Sequence, residues 1–149
     1  KSGDAVAYAA AKLAGEQLAR TLCQTGDGRT SFVVLRIGWC QPGPNLPSTL
    51  NPAGCPPDFQ TKGGTASAGS SDGEVGAALA GESVDEAWFK NMWLSNGDFL
   101  SYFVAALSAP TPRGAPLLVN AMSSNTGMRW SLKETQEALG VVAADDSRR

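Results

Sequence analysis

No histidine occurs among the 149 residues. That single absence excludes Ser-His-Asp hydrolysis, Cys-His proteolysis and imidazole-based zinc sites. Cysteine is scarce: Cys23, Cys40 and Cys55 are far apart and form no C-x-x-C pair, so neither a metal cluster nor a dense disulfide framework is expected. They fit the reduced thiols of a cytoplasmic protein, with one bridge left open. No apolar run approaches the roughly 18 residues of a membrane span, and no signal-peptide pattern opens the chain, so no membrane partner is expected. Positive charge is not in excess either, with 12 Lys and Arg against 14 Asp and Glu. Nothing here is a footprint for phosphate backbones, and nucleic acid is not an expected partner. What remains is a chain that is 42% hydrophobic, enough for at least part of it to bury a core.

The opening segment, about Ala5 to Gln24, is patterned as a helix. Ser2 and Asp4 offer capping oxygens, alanines fill the first turns, and Gly26 stands where the helix should stop. Val6, Ala10, Ala14, Leu18 and Leu22 recur every four residues as an apolar stripe, and Glu16 is spaced to pair with Arg20. Ser31–Ile37 is a continuous β-branched run of the kind buried on both faces of a parallel sheet. From Gly38 to about Ser83 the composition turns to Pro, Gly, Ser and Asn, which predicts one long loop.

Order is expected to return near Trp88, with Met92-Trp93-Leu94 as a short extended piece. Ser95 with Asp98 fits a capping box, opening a helix whose apolar face is Phe99, Leu100, Phe103, Val104 and Leu107. Pro116–Ala121 reads as a second strand. Ser131 with Glu134 forms another capping box, before a short helix closed by Gly140. The polar tail, Val141 to Arg149, is expected to fray. Helix, strand, loop, helix, strand, helix is an α/β order.

The chemistry concentrates in Tyr8-Ala-Ala-Ala-Lys12. A spacing of four puts phenol and ammonium on one helix face, one turn apart. A cation held near a phenol favours phenolate, and such a tyrosine can exchange a proton with a substrate hydroxyl. The plain alternative is that Tyr8 packs at a helix start and Lys12 is a solvated surface residue.

The motif continues as Y-A-A-A-K-L-A-G-E-Q-L-A-R, and a strand ending Leu35-Arg36-Ile37-Gly38 follows. Further on come Trp93-Leu94-Ser95 with Asp98, a strand Leu117–Asn120, and Ser123-Ser124-Asn125. This succession resembles the extended short-chain dehydrogenase/reductase superfamily of NAD-dependent epimerases and dehydratases, and most of all its uronate-dehydrogenase-like branch. The resemblance implies the C-terminal part of a Rossmann-like, doubly wound parallel sheet with part of a substrate-binding lobe, the 149 residues forming a single partial domain. It also implies NAD or NADP as cofactor, a small sugar-like substrate, and a homodimer. Tyr8 would be the catalytic acid/base. Lys12 would hold the nicotinamide ribose and tune Tyr8, and Gly38, Trp39 and Cys40 would line the nicotinamide side of the pocket.

The departures from that pattern are specific. No glycine-rich fingerprint follows a strand, since Gly26-Asp27-Gly28 leads into one instead. Ser2 is too close to Tyr8 to be the family's catalytic serine. Trp39 stands where the uronate dehydrogenases have a small polar residue, and near Trp88 the nearest cation is Lys90, not an arginine. The residues alone are therefore expected to be catalytically incomplete. A non-catalytic binding or regulatory protein on the same scaffold is the alternative. Ser95 and Asp98 are expected to serve as helix caps, and Asn120 and Asn125 either to reach a substrate or, the favoured reading, to serve a strand end or turn.

Overall fold

A computed structural model describes residues 3–50, 82 and 84–149. The elements run α1 (Gly3–Thr25), β1 (Val33–Ile37), a single 3₁₀ turn (Pro47–Thr49), α2 (Val84–Met92), α3 (Asn96–Ser108), β2 (Leu117–Ala121) and α4 (Lys133–Leu139). The described part is thus mixed α/β, with a small parallel sheet of two strands. Most of the expected long loop, residues 51–81 and 83, lies outside the described residues.

Alanine-rich sequence with no proline carries α1 through 23 residues. It stops at Gly26, whose amide donates to the Leu22 carbonyl at 2.9 Å. A Cβ at Gly26 would sit 2.7 Å from that same oxygen, so only glycine fits there. Long as it is, α1 does not carry enough apolar residues to cross a membrane, and neither does any other helix among the described residues.

β1 and β2 pair in parallel, with Val33 opposite Leu117 and Ile37 opposite Ala121. Parallel strands need a crossover between them, and residues 38–116 supply it. In a parallel ladder, alternate residues of a strand bond to the same neighbour. Phe32 O accepts from Leu117 N, and Gly38 N donates to Ala121 O. The even-numbered residues of β1 therefore bond β2, and Val33, Leu35 and Ile37 turn their amides and carbonyls the other way.

Past Ile37 the two strands part, and Trp93 wedges between them. It bridges Trp39 in parallel on one side and accepts from the Ser123 amide on the other. Gly38 is what admits this wedge, because a Cβ there would collide with the Met92 carbonyl oxygen. The core forms around Leu94, Tyr102 and Ala121, with Leu35, Leu139, Val141 and Ala143 packed against them.

Several expectations need correction. β1 is not buried on both faces: Val33, Val34 and Leu35 are half-buried, and Arg36 and Ile37 are exposed. With one neighbouring strand and a single cluster beneath it, the described sheet has no second layer to cover it. For the same reason the α1 stripe is open, with Val6, Leu18 and Leu22 all exposed. On α3 the expected apolar face, Phe99, Leu100, Phe103, Val104 and Leu107, also lies exposed, while Asp98 and Tyr102 are the buried residues. The tail does not fray. Ser147 is buried, and Arg148 forms an ion pair with Glu82 in which both side chains are at least nine-tenths buried. Ser131 sits one place too early to be the α4 N-cap, which is Leu132, although its hydroxyl still accepts from the Lys133 amide. Gly140 closes α4 in the left-handed region, as its position predicts.

Candidate functional site

Tyr8 and Lys12 lie on the same exposed face of α1. The Lys12 ammonium is 5.2 Å from the centroid of the Tyr8 ring. It faces the π cloud, an arrangement in which charge and ring attract one another. What anchors α1 to the sheet is lower on the helix. Glu16 takes two parallel hydrogen bonds from the Arg36 guanidinium, at 2.7 and 2.8 Å. This replaces the expected Glu16–Arg20 pair; Arg20 donates instead to Gln17. The Arg36 hydrogen bond holds the Glu16 carboxyl below its ordinary range, with the charges of Arg36 and Arg20 acting in the same direction against burial.

Gly38, Trp39 and Cys40 continue β1 into the wedge. Their backbone is largely committed: the Gly38 amide to Ala121, the Trp39 amide to Met92 at 2.7 Å, and the Trp39 carbonyl to the Leu94 amide at 3.0 Å. Of the three amides, only that of Cys40 has no acceptor among the described residues. The Trp39 ring meets Trp88 and Phe89 edge-on, at 6.2 and 5.0 Å. Its indole nitrogen is buried without a hydrogen-bond partner among the described residues. Cys40 is exposed as a residue, yet its sulfur turns in toward the carbonyls of Gly38 and Leu94, and that desolvation pushes the thiol up. Cys23 is likewise a free thiol, and Cys55 lies outside the described residues.

Lys90 does not stand ready for a substrate carboxylate. Glu86 holds it at 2.7 Å and Glu82 at 3.2 Å, and the Glu86 hydrogen bond above all raises its pKa. Asn125 is structural. Its amide nitrogen donates to the carbonyls of Trp93 and Asn91, and its oxygen accepts from the Ser147 amide. Asn120 donates to the Ser131 carbonyl.

Sequence reasoning missed the densest polar cluster. Ser95 does cap α3, accepting from the Asp98 amide at 2.9 Å. The return half of the capping box is absent, however. Ser123 is interposed, accepting from the Ser95 amide and donating to Asp98 Oδ2 at 2.6 Å. The freed Asp98 carboxylate accepts from the amides of Ala144 and Asp145, and Ser95 donates in turn to Asp145. Asn45 was missed as well. It is buried with φ 53° and ties the wedge down by donating to Leu94 O and accepting from the Trp93 indole. The run Gln-Pro-Gly-Pro-Asn held a signal for it, because asparagine tolerates the left-handed region a turn requires.

No family model matches this chain, and no match to it was found among curated proteins or solved structures.

Proposed function

We propose that this chain is part of an NAD(P)-dependent oxidoreductase or epimerase/dehydratase acting on a sugar-like hydroxyl compound, with Tyr8 as acid/base and Lys12 as its partner. One observation carries the reading: Tyr8 and Lys12 share an exposed face of a helix that is clamped to a parallel strand by Glu16 and Arg36. The short connection over residues 26–32 reverses the chain between α1 and β1. From Glu16 back to Tyr8 is about 12 Å along a helix. From Arg36 on to Cys40 is about 13 Å of extended chain. On this reading Tyr8 would come level with the segment Gly38–Cys40, where the nicotinamide end would lie. The parallel pairing of β1 with β2 fits a doubly wound sheet, and exposure of one α1 face leaves room for a cofactor or a further layer.

In this reading the residues here supply the proton-transfer end of the site. The nicotinamide group, when bound, takes up or gives the hydride. Tyr8 would exchange a proton at the substrate hydroxyl, and Lys12 would hold the ribose of the bound cofactor. Seating of the pyrophosphate falls to residues outside these 149. Because the Gly38 and Trp39 amides are already committed, the Cys40 amide is the one assigned to the cofactor.

The same committed backbone favours a second reading, a binding or regulatory protein on this scaffold that does no chemistry. Tyr8→Phe in the natural full-length polypeptide separates the two. The enzyme reading expects turnover with a nicotinamide cofactor to fall by about 10²–10⁴ with the fold intact, since general acid–base help is worth that much. Turnover kept above about a tenth of the unmodified rate would overturn the role of Tyr8, and cofactor binding without any turnover would favour the second reading.

A further inference from the structure

At the opposite end of the sheet from Gly38, a cavity of about 490 Å³ opens between the α1–β1 connection and the turn before β2. Its volume suits a ligand of monosaccharide size or larger. Cys23, Asp27, Thr30, Ser31, Thr111 and Arg113 line it, together with glycines of both turns.

The hydrogen-bonding capacity of this lining is conspicuously unspent. Three cations around the wedge and the sheet are held by carboxylates: Arg36 by Glu16, Lys90 by Glu82 and Glu86, and Arg148 by Glu82. Arg113 has no carboxylate partner among the described residues. The hydroxyls of Thr21, Thr25 and Ser101 all bond back to their own helices. Those of Thr30, Ser31 and Thr111 make no hydrogen bond among the described residues. Asp27, which lines the cavity, uses one carboxylate oxygen for the Arg29 amide, and the other makes no hydrogen bond among the described residues. Asp27 and Arg113 share the cavity without forming an ion pair, so a ligand can bridge them.

We infer that this cavity binds a small phosphorylated polyol such as a hexose phosphate, its phosphate on Arg113 and its hydroxyls on Asp27 and the three side-chain hydroxyls. A guanidinium presents the fork of donors that phosphate oxygens accept. The open Asp27 oxygen accepts from a hydroxyl and repels a bare phosphate, which is why the ligand must carry both groups. The site does not depend on the role of Tyr8. It lies about 25 Å along the chain direction from the Gly38–Cys40 segment at the usual strand rise.

The test is an NMR titration of the protein with glucose 6-phosphate, glucose and inorganic phosphate at constant ionic strength. Amide shifts of Gly28, Thr30, Ser31 and Gly114 are followed. The expected result is saturable movement of these amides with glucose 6-phosphate, below about 1 mM in dissociation constant, with both fragments about tenfold weaker or more. Alkylation of Cys23 should slow when the ligand is bound, while that of Cys40 stays unchanged. Arg113→Gln, a substitution at an exposed position, should weaken binding by at least about tenfold, as loss of one charged partner does. Absence of saturable shifts up to about 10 mM would overturn the site, since binding that weak recognises little. Unchanged affinity in Arg113→Gln would overturn it too, and equal affinity for inorganic phosphate would overturn the polyol assignment.

Discussion

Arg36 on β1 and Glu16 on α1 are joined by two parallel hydrogen bonds, and this fork is the side-chain link that sets the helix against the strand. The Arg36 side chain is half exposed, so solvent screening keeps the pair's contribution to about 0.5–1 kcal/mol. Its larger role is positional, because it fixes where α1 stands along β1. Glu16→Gln should lower stability by that small amount. Because the Glu16 carboxyl titrates below its ordinary value, this contribution is present above about pH 4.5 and lost as pH falls through the lowered value. Denaturant unfolding of the two proteins between pH 7 and pH 3 checks it: the curves should converge at the acid end.

Asp98 is the second target. Its buried carboxylate accepts from Ser123 and from the amides of Ala144 and Asp145. Asp98→Asn replaces an acceptor oxygen with a donor and leaves at least one buried group unsatisfied, a loss of about 2–3 kcal/mol. Ser123→Ala, which removes one bond to the carboxylate and one to the Ser95 amide, should cost less than Asp98→Asn. A smaller loss for Asp98→Asn than for Ser123→Ala in chemical denaturation would contradict the network.

Tyr102 is buried and donates to the Met122 carbonyl at 3.0 Å. Burial first, with the negative charge of Asp98 adding to it, pushes its phenol up to about 12. The protonated form is favoured in the fold, so its contribution is complete below about pH 10 and disappears as pH rises toward 12. Alkaline unfolding should accordingly steepen above pH 10 and be shallower in Tyr102→Phe. That variant should lose about 1–3 kcal/mol at neutral pH, because the Met122 carbonyl loses its buried donor.

The outward amides and carbonyls of Val33, Leu35 and Ile37 form an edge with no partner among the described residues. Such an edge templates pairing with another strand, and Ile37 at its end is exposed. The chain is therefore expected to dimerise or aggregate at micromolar concentration, and Ile37→Lys, which places a charge there, should shift it toward monomer. Sedimentation of both proteins decides the matter. A monomeric parent chain with slowly exchanging Leu35 and Ile37 amides would show the edge to be covered.

Local signals were legible where one residue type answers one local need. Gly26 ending α1, Ser95 capping α3 and Gly140 closing α4 follow from backbone geometry within a turn of the residue. The two strands themselves were also visible, each as a short apolar run bounded by turn residues. Invisible were the pairings that depend on distant chain. Glu16 has Arg20 a turn away in sequence, yet Arg36 offers a bidentate fork that a neighbour on the same helix does not. The stripe on α3 promised burial, but Tyr102 went inward because its hydroxyl finds Met122, leaving Phe99 and Phe103 stacked on the surface. The tail was expected to fray because its local bonds, such as those of Asp146 with Arg148 and Arg149, are few; what holds it are the distant partners Asp98, Asn125 and Glu82. The helix Val84–Met92 was hidden behind a composition that blends into the glycine-rich stretch before it.

The Asp98 carboxylate has a consequence for how the chain is made. Its amide donors lie 46 and 47 residues further on, at Ala144 and Asp145. At a synthesis rate of roughly 5–20 residues per second, the first turn of α3 waits several seconds before those amides exist. During that interval a charged side chain destined for the interior has only water, and then Ser123 from 25 residues further on, to satisfy it. The core around Tyr102 is thus sealed from its polar end, late, by the segment that closes the list of its contacts. A nascent chain halted before residue 144 should hold α3 as an open, protease-sensitive helix.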